Sequence, residues 1–339
     1  MLTSLKQRIP VRYKQYLSRS FSDIFDRIEY QVLRIILLPL EMLTGRYISY
    51  VARPRYAKGV RIMSDAAERD YSEYAIVLQG PLAPRNHFTI ETLLLYKKNF
   101  PGAALILSTW ANEDPAVIAE AREMGAEVVL SEPLASGEPG NINRQIITSR
   151  AGIARARAMG RTYVLKSRPD QRMYNPRLLS FLSDMLVCFP VAPGTARGRI
   201  IGTSSYVGRK KLYLFTDLLI FGYLEDMENY FNPPLVQDPK IRLPFLEPRR
   251  PFSTEAYLCW QYTMKIGYPT ATTEDEYNSM LARHFCVVDD SSLDWFWHKY
   301  HKHHFKERRL AEYGRAIDVT LNFPFWLELY KKEQAKTRG

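Results

Sequence analysis

The stretch Ala75-Ile76-Val77-Leu78-Gln79-Gly80-Pro81 decides the fold. Four consecutive apolar residues running into a Gly-Pro turn read as a short buried strand. Outward from it, apolar runs and helix-like stretches alternate. Residues 89–98 carry Leu93, Leu94 and Tyr96 in a helical stretch closed by Pro101-Gly102, and 103–109 read as a second strand. A helix over 114–124 is marked by Asp114 as N-cap, Pro115 at its first position and Gly125 as its stop. A third strand over 126–130 follows. A Gly, Pro and Ser-rich loop over 136–141 then leads into a long helix over 143–159 and a fourth strand over 162–166. Strands separated by helices of this length form right-handed βαβ units, so the expected fold class is α/β with a mostly parallel sheet flanked by helices. Ligands of such sheets bind beyond the carboxyl ends of the strands, which selects the loops at 79–86, 109–114 and 167–175. Neither GxGxxG nor GxxxxGK[ST] occurs there, which argues against a dehydrogenase or a P-loop kinase.

Composition sets the outer limits. The chain has 339 residues, 46% of them hydrophobic, enough for a substantial core. Its three cysteines, Cys188, Cys259 and Cys286, are widely spaced and form no CxxC pair, so neither a disulfide framework nor a thiolate zinc site is expected. The net charge of +11 is concentrated at the ends. Residues 1–70 hold 13 Lys and Arg against 7 Asp and Glu, and residues 291–339 hold 10 against 6, whereas 71–290 is almost balanced. A nucleic-acid enzyme would place the excess around its cleft, so no nucleic-acid partner is expected and basic ends point to an anionic membrane surface. The chain divides into a basic amphipathic helical extension over 1–70, a catalytic domain over 71–290 and a basic, aromatic and His-rich helical tail over 291–339.

No run reaches the ~18 apolar residues of a membrane-spanning helix. The nearest, from Val32 to Leu40, is broken by Arg34 and Pro39. Lys6, Arg8, Arg12, Lys14 and Arg19 interrupt any apolar signal-peptide core. The expectation is a cytoplasmic protein, peripheral on the inner face of the cytoplasmic membrane. Apolar residues from Leu17 to Ile36 recur at three- and four-residue steps, as on a helix that packs on its own domain or lies on a membrane or partner. In the tail, His298, His301 and His304 share a possible helix face able to hold zinc, but Trp295, Phe296, Trp297, Tyr300 and Phe305 alternating with lysines read more readily as an interfacial surface. Asp289-Asp290 reads as a solvated turn.

Two groups carry potential chemistry. Lys166-Ser167-Arg168-Pro169-Asp170-Gln171-Arg172 follows the fourth strand. Cations around one carboxylate suit a diphosphate, with Lys166, Arg168 and Arg172 meeting its charge and Asp170 as a ligand for Mg²⁺ or Mn²⁺; a charged surface turn is the plain alternative. Asn143, Arg144 and Gln145 stand where the Gly-rich loop enters a helix. Free backbone N–H groups there, with a guanidinium in the first turn, make an anion site, while Asn141 or Asn143 serves equally as a simple cap.

Read together, Ile76 to Pro81, Phe100-Pro101 with Leu107-Ser108-Thr109-Trp110, Asn143-Arg144-Gln145-Ile146 and Lys166 to Arg172 resemble the WavE lipopolysaccharide synthesis family. The likeness continues through Phe215-Thr216-Asp217 with Gly222 and through Ser253 to Leu258, over about residues 73–290. It implies a GT-A-like, Rossmann-type glycosyltransferase that moves a sugar from a nucleotide-sugar donor to a lipid-linked or oligosaccharide acceptor in a growing bacterial surface polysaccharide. Gln79, Gly80, Pro81, Thr109, Trp110, Asn143, Arg144, Gln145, Lys166, Arg168, Asp170 and Arg172 are the expected donor-binding residues. Similar enzymes hold a divalent metal with Asp-x-Asp; here Arg168-Pro169-Asp170 puts Arg168 in the first position, so cations replace part of the metal's charge. An inverting transfer also needs a general base, for which Glu255 is the expected residue, with Asp217 contacting the acceptor. Glu255 as a helix-start residue and Asp217 as a strand-edge residue are the plain readings. A phosphosugar or nucleotidyl transferase and a non-catalytic scaffold of the same pathway are the alternatives.

Overall fold

In a computed structural model the described residues are 28, 31–45, 48, 51–60, 69–134, 139–192, 194, 196–205, 207, 211–238, 240–247, 251–299 and 321–338. They belong to two compact units, residues 1–53 and 54–339. In the first, a helix runs over residues 31–44.

The second unit is an α/β layer structure. Strand β1 (Tyr74–Gln79) leads to helix α1 (Phe88–Asn99), β2 (Ala104–Trp110), α2 (Pro115–Glu123), β3 (Glu127–Ser131), α3 (Ile142–Ala158) and β4 (Tyr163–Ser167). These bounds lie within about one residue of those read from the sequence, for the same physical reasons. Asp114 accepts from the Ala116 N–H at 2.9 Å, Pro115 opens α2, and Gly125 follows it at φ +86°, a left-handed turn that side chains resist. After β4 come β5 (Gln171–Met173), α4 (Leu178–Cys188), β6 (Ile200–Thr203), β7 (Ile220–Tyr223), α5 (Leu224–Phe231), α6 (Thr254–Lys265), α7 (Glu274–His284), β8 (Phe285–Val288), the single turn α8 (Asp290–Leu293), β9 (Trp295–Trp297) and α9 (Phe323–Arg338).

The central sheet has seven strands in the order β3-β2-β1-β4-β7-β6-β8. Neighbours in β3-β2-β1-β4 and in β6-β8 are parallel, while β7 runs antiparallel to both β4 and β6. This is the expected mostly parallel α/β sheet, with one reversed strand the sequence does not announce. The reversal places the start of β7 at the edge where the other strands end, and Lys166 of β4 faces Ile220 across the ladder. Helix α3 approaches β1 and β2 closely: a Cβ on Gly152 would lie 2.4 Å from Val77 Cγ1 and 3.0 Å from Ser108 Cβ. Val77 therefore faces α3. Lys166, its partner in the parallel ladder, points to the same face, as does Gln79 two residues on.

The C-terminal segment differs from the expected surface tail. Strand β9 pairs antiparallel with β5, joining Gln171 to Trp297 and Met173 to Trp295. Trp295 and Trp297 are buried, so these rings are committed to the core and do not form an interfacial belt. His298 stacks on Phe88 with ring centroids 4.6 Å apart; His301, His303 and His304 lie outside the described residues. Helix α9 buries Trp326 and is held to α7 by Glu333, which accepts from Ser279 at 2.9 Å and Arg283 at 2.6 Å. Asp289-Asp290 is likewise no solvated turn. Asp290 accepts from the hydroxyls of Thr203 and Ser205, and Asp289 accepts from the Phe323 N–H at 3.0 Å.

Candidate active site at the carboxyl edge of the sheet

Asp217 reaches the site because β7 is reversed: it stands three residues before that strand, beside the end of β4. The Lys166 ammonium donates to the Asp217 carbonyl and lies 5.5 Å from the centroid of the Phe231 ring. From helix α3 the Gln145 amide donates to the Asp217 carboxylate. Glu255 comes from the first turn of α6, whose cap Ser253 accepts from the Ala256 N–H and donates to the Glu255 carboxylate. Thr254 donates to the Gly140 carbonyl at 3.0 Å, which ties the start of α6 to the turn that opens α3. Four parts of the chain, α3, β4, the segment before β7 and α6, thus bring Gln145, Lys166, Asp217 and Glu255 to one edge, at the starts of two helices.

The electrostatics of this cluster follow from burial. Lys166 is fully buried, and desolvation pulls its ammonium down to about 8, against the opposing pull of the Asp217, Asp170 and Glu255 carboxylates. Burial raises Glu255 above the ordinary carboxylate range, and the charge of Asp217 raises it further, while the Ser253 hydroxyl bond and Lys166 oppose the shift. A carboxyl held high next to another carboxylate is an arrangement suited to accepting a proton.

The remaining expected residues separate into those at the edge and those spent elsewhere. Gln79 ends β1 and donates to Thr148 Oγ1 at 2.7 Å. Gly80, at φ +116°, donates its N–H to Ser108, and Pro81 is exposed on the following turn. Thr109 and Trp110 end β2. Thr109 donates to Glu113 at 3.5 Å and the Leu82 N–H does so at 3.1 Å, so Glu113 joins the first two loops. The sequence reading misses Glu113, whose only signal is its place at a strand end. Arg144 lies in the first turn of α3 and donates to the Leu134 carbonyl at 3.1 Å. Asn143 does not cap its helix: its amide clamps Val236, accepting from the N–H and donating to the carbonyl, both at 2.8 Å. Arg172 departs furthest from expectation. Its buried guanidinium stacks on Phe88, 4.3 Å from the ring centroid, and donates to Thr92, the Phe88 carbonyl and the Arg55 carbonyl. That arginine locks the underside of α1.

Asp170 is the expected metal ligand. One of its oxygens accepts from Arg168 Nε at 3.0 Å and the other from Trp297 Nε1 at 2.9 Å, while Arg168 also lies 5.8 Å from the Trp297 ring. The carboxylate is thus matched to N–H donors on both sides. Among the described residues no three His, Cys, Asp or Glu side chains converge in a way that would hold a metal ion. The donor set around Asp170 does not fit Mg²⁺ or Mn²⁺.

A family model for WavE lipopolysaccharide synthesis matches residues 74–338. The chain belongs to the WavE lipopolysaccharide synthesis family. The match runs past Asp290, where the likeness read from the sequence ends, and takes in the C-terminal segment that β9 and α9 build into the body of this WavE protein. Family membership puts the protein in lipopolysaccharide synthesis. No curated protein matches the chain. Among the described residues, no helix is long and apolar enough to cross a membrane.

Proposed function

We propose that this WavE protein is a glycosyltransferase that moves a sugar from a nucleotide-sugar donor to a growing bacterial surface polysaccharide: lipopolysaccharide core, O-antigen or capsule. The observation that carries the reading is the placing of Asp217 and Glu255 over buried Lys166 at the carboxyl edge of the sheet, where α/β folds take their ligands. The donor diphosphate lies along this edge against Arg168, Arg144 and the opening of α3. Asp217, fixed by the Gln145 amide, positions the acceptor hydroxyl.

In an inverting transfer the acceptor oxygen forms its bond to the anomeric carbon as the bond from that carbon to the diphosphate oxygen breaks. The bonding pair leaves with the nucleotide diphosphate, and the hydroxyl proton passes to Glu255. Negative charge grows on the leaving group as this happens, and guanidinium groups and helix N–H donors aimed at it lower the barrier. Asp170 acts here by holding Arg168 against Trp297, and no step passes through a metal. The acceptor is lipid-linked or an oligosaccharide, met at the inner face of the cytoplasmic membrane.

Thermal-shift titration with UDP, GDP and CMP, followed by transfer assays with a panel of nucleotide sugars, tests the reading. One nucleotide should raise the melting temperature and its sugar should be transferred, with EDTA leaving the rate unchanged. Release of pyrophosphate from a nucleoside triphosphate and a sugar phosphate would assign a nucleotidyltransferase instead. No shift with any nucleotide and no transfer would leave a scaffold.

A further inference from the structure

The helix over residues 31–44 carries more exposed apolar surface than a water-facing helix tolerates. Ile35 is 73% exposed, Met42 78% and Leu43 83%, and Val32, Ile36, Leu38 and Leu40 are exposed with them. At 3.6 residues per turn these seven side chains sweep an arc of about 200° around the helix. The sector that is left holds half-buried Leu33 and Leu37 beside Arg34 and Glu41, and the Glu41 carboxylate accepts from the Ile48 N–H at 2.7 Å. A helix that packs on a protein core or in a partner's groove needs an apolar stripe of roughly 100°; one immersed in lipid can use twice that.

Length and charge identify the occupant. The apolar run from Val32 to Leu43 is interrupted by Arg34, Pro39 and Glu41 and falls short of the ~18 apolar residues of a span, and among the described residues no helix is long and apolar enough to cross a bilayer. Residues 1–53 contain 9 Lys and Arg against 4 Asp and Glu, with Arg27 and Arg46 close in sequence to either end of the helix. Cations flanking an apolar segment that is too short to span complement an anionic headgroup layer. Trp295 and Trp297 take no part in this, because both are buried; Tyr300 and Phe305 lie outside the described residues.

We propose that the helix over residues 31–44 lies in the interface of an anionic phospholipid bilayer and docks the protein there, with its broad exposed apolar face in the acyl boundary and exposed Arg34 toward the headgroups. The inference is independent of the reaction the second unit performs, and its test contains no sugar nucleotide.

The full chain is co-sedimented with vesicles of phosphatidylcholine alone and with vesicles containing phosphatidylglycerol, at low and high salt, beside a full-length Ile35→Glu, Leu43→Glu double variant. The wild type should pellet with the anionic vesicles at least tenfold more than with the neutral ones at low salt, and high salt should reduce this. The double variant should lose at least tenfold in anionic-vesicle recovery while keeping the thermal midpoint of the wild type. Equal recovery of wild type on both lipids, absence of binding, or undiminished binding of the double variant would overturn the proposal. Light scattering without vesicles checks the competing occupant: a dimer that the double variant abolishes would show that a second copy covers this face, and would also overturn the proposal.

Discussion

Lys166 and Arg172 leave the same turn six residues apart and are equally buried, at 0% and 1% exposure, yet they do different work. Lys166 ends against Phe231 and the Asp217 carbonyl, with the carboxylates of Asp217, Asp170 and Glu255 in its field. Arg172 ends in neutral acceptors: a threonine hydroxyl and the backbone carbonyls of Phe88 and Arg55. A buried cation satisfied by neutral backbone groups stiffens a fold, because each bond replaces water without creating a field that acts on anything else. A buried cation beside the raised Glu255 carboxyl opposes that rise, which is a chemical role.

The sharpest way to break this comparison is to neutralise the carboxylates. Glu255→Gln should lower transfer by about 10²- to 10⁴-fold, the range of a general base, while nucleotide binding measured by thermal shift persists. Asp217→Asn should also lose turnover, with the larger share in the acceptor KM. Stability should scarcely change in Glu255→Gln, because burial and Asp217 already disfavour the charged form of Glu255. An active Glu255→Gln enzyme would return this residue to a helix-start role.

The other half of the comparison is tested by Arg172→Ala. It takes the guanidinium donor from Thr92 Oγ1 and from the Phe88 and Arg55 carbonyls, of which the Phe88 carbonyl still accepts from Thr92, and removes the stacking on Phe88. The expected cost is about 3 kcal/mol, from the lost charge-assisted hydrogen bonds and the cavity left beside Phe88, seen as a melting temperature lower by several degrees. The folded fraction should retain its nucleotide response. If Arg172→Ala instead keeps its stability and loses donor binding, the two residues belong to one site.

These two residues also show how far the sequence can be read. The first four strands are legible because parallel strands buried on both faces appear as unbroken apolar runs, as in Ile76-Val77-Leu78, and their turns carry Gly, Pro and Asp. Gln145, Asp217 and Glu255 are legible as residues; their meeting is not, since it depends on the reversal of β7, which no local signal announces. Arg168 and Arg172 both look like cations of a strand-end loop. Only the tertiary contact with Phe88 and Thr92 separates them. Trp295-Phe296-Trp297 reads as an interfacial belt because a three-residue strand leaves too short a pattern to recognise, and its partner, β5, lies more than a hundred residues earlier.

A smaller effect tests the frame beneath both residues. Gly152→Ala puts a methyl group 2.4 Å from Val77 Cγ1 and 3.0 Å from Ser108 Cβ, so α3 must move off β1 and β2. Overpacking of this kind costs roughly 1–3 kcal/mol. Because Gln145 rides on α3, the same displacement should weaken its bond to Asp217, and turnover should fall together with stability. Arg172→Ala should not show that coupling. A Gly152→Ala protein that is destabilised but fully active per folded molecule would mean that Gln145 does not position Asp217.

The smallest effect is a titration, and it reads Lys166 directly. Its ammonium titrates at about 8, below the ordinary lysine value of 10.5, because burial penalises the charge. Below pH 8 the folded and unfolded chains both carry the proton, and the folded state bears that desolvation cost in full. Between pH 8 and the unfolded value the folded chain has given up its proton and the unfolded chain still binds it. Stability from this group therefore rises with pH across that window. Turnover should move the other way. On the proposed transfer a neutral Lys166 no longer holds down the raised Glu255, so the rate should fall by up to about tenfold per pH unit above 8. Thermal midpoints and initial rates measured on one preparation from pH 7 to 10 should thus diverge, and Lys166→Met should remove both slopes. A rate that stays level through pH 9.5, or a stability slope that survives in Lys166→Met, would show that the buried ammonium does not govern the carboxylates above it.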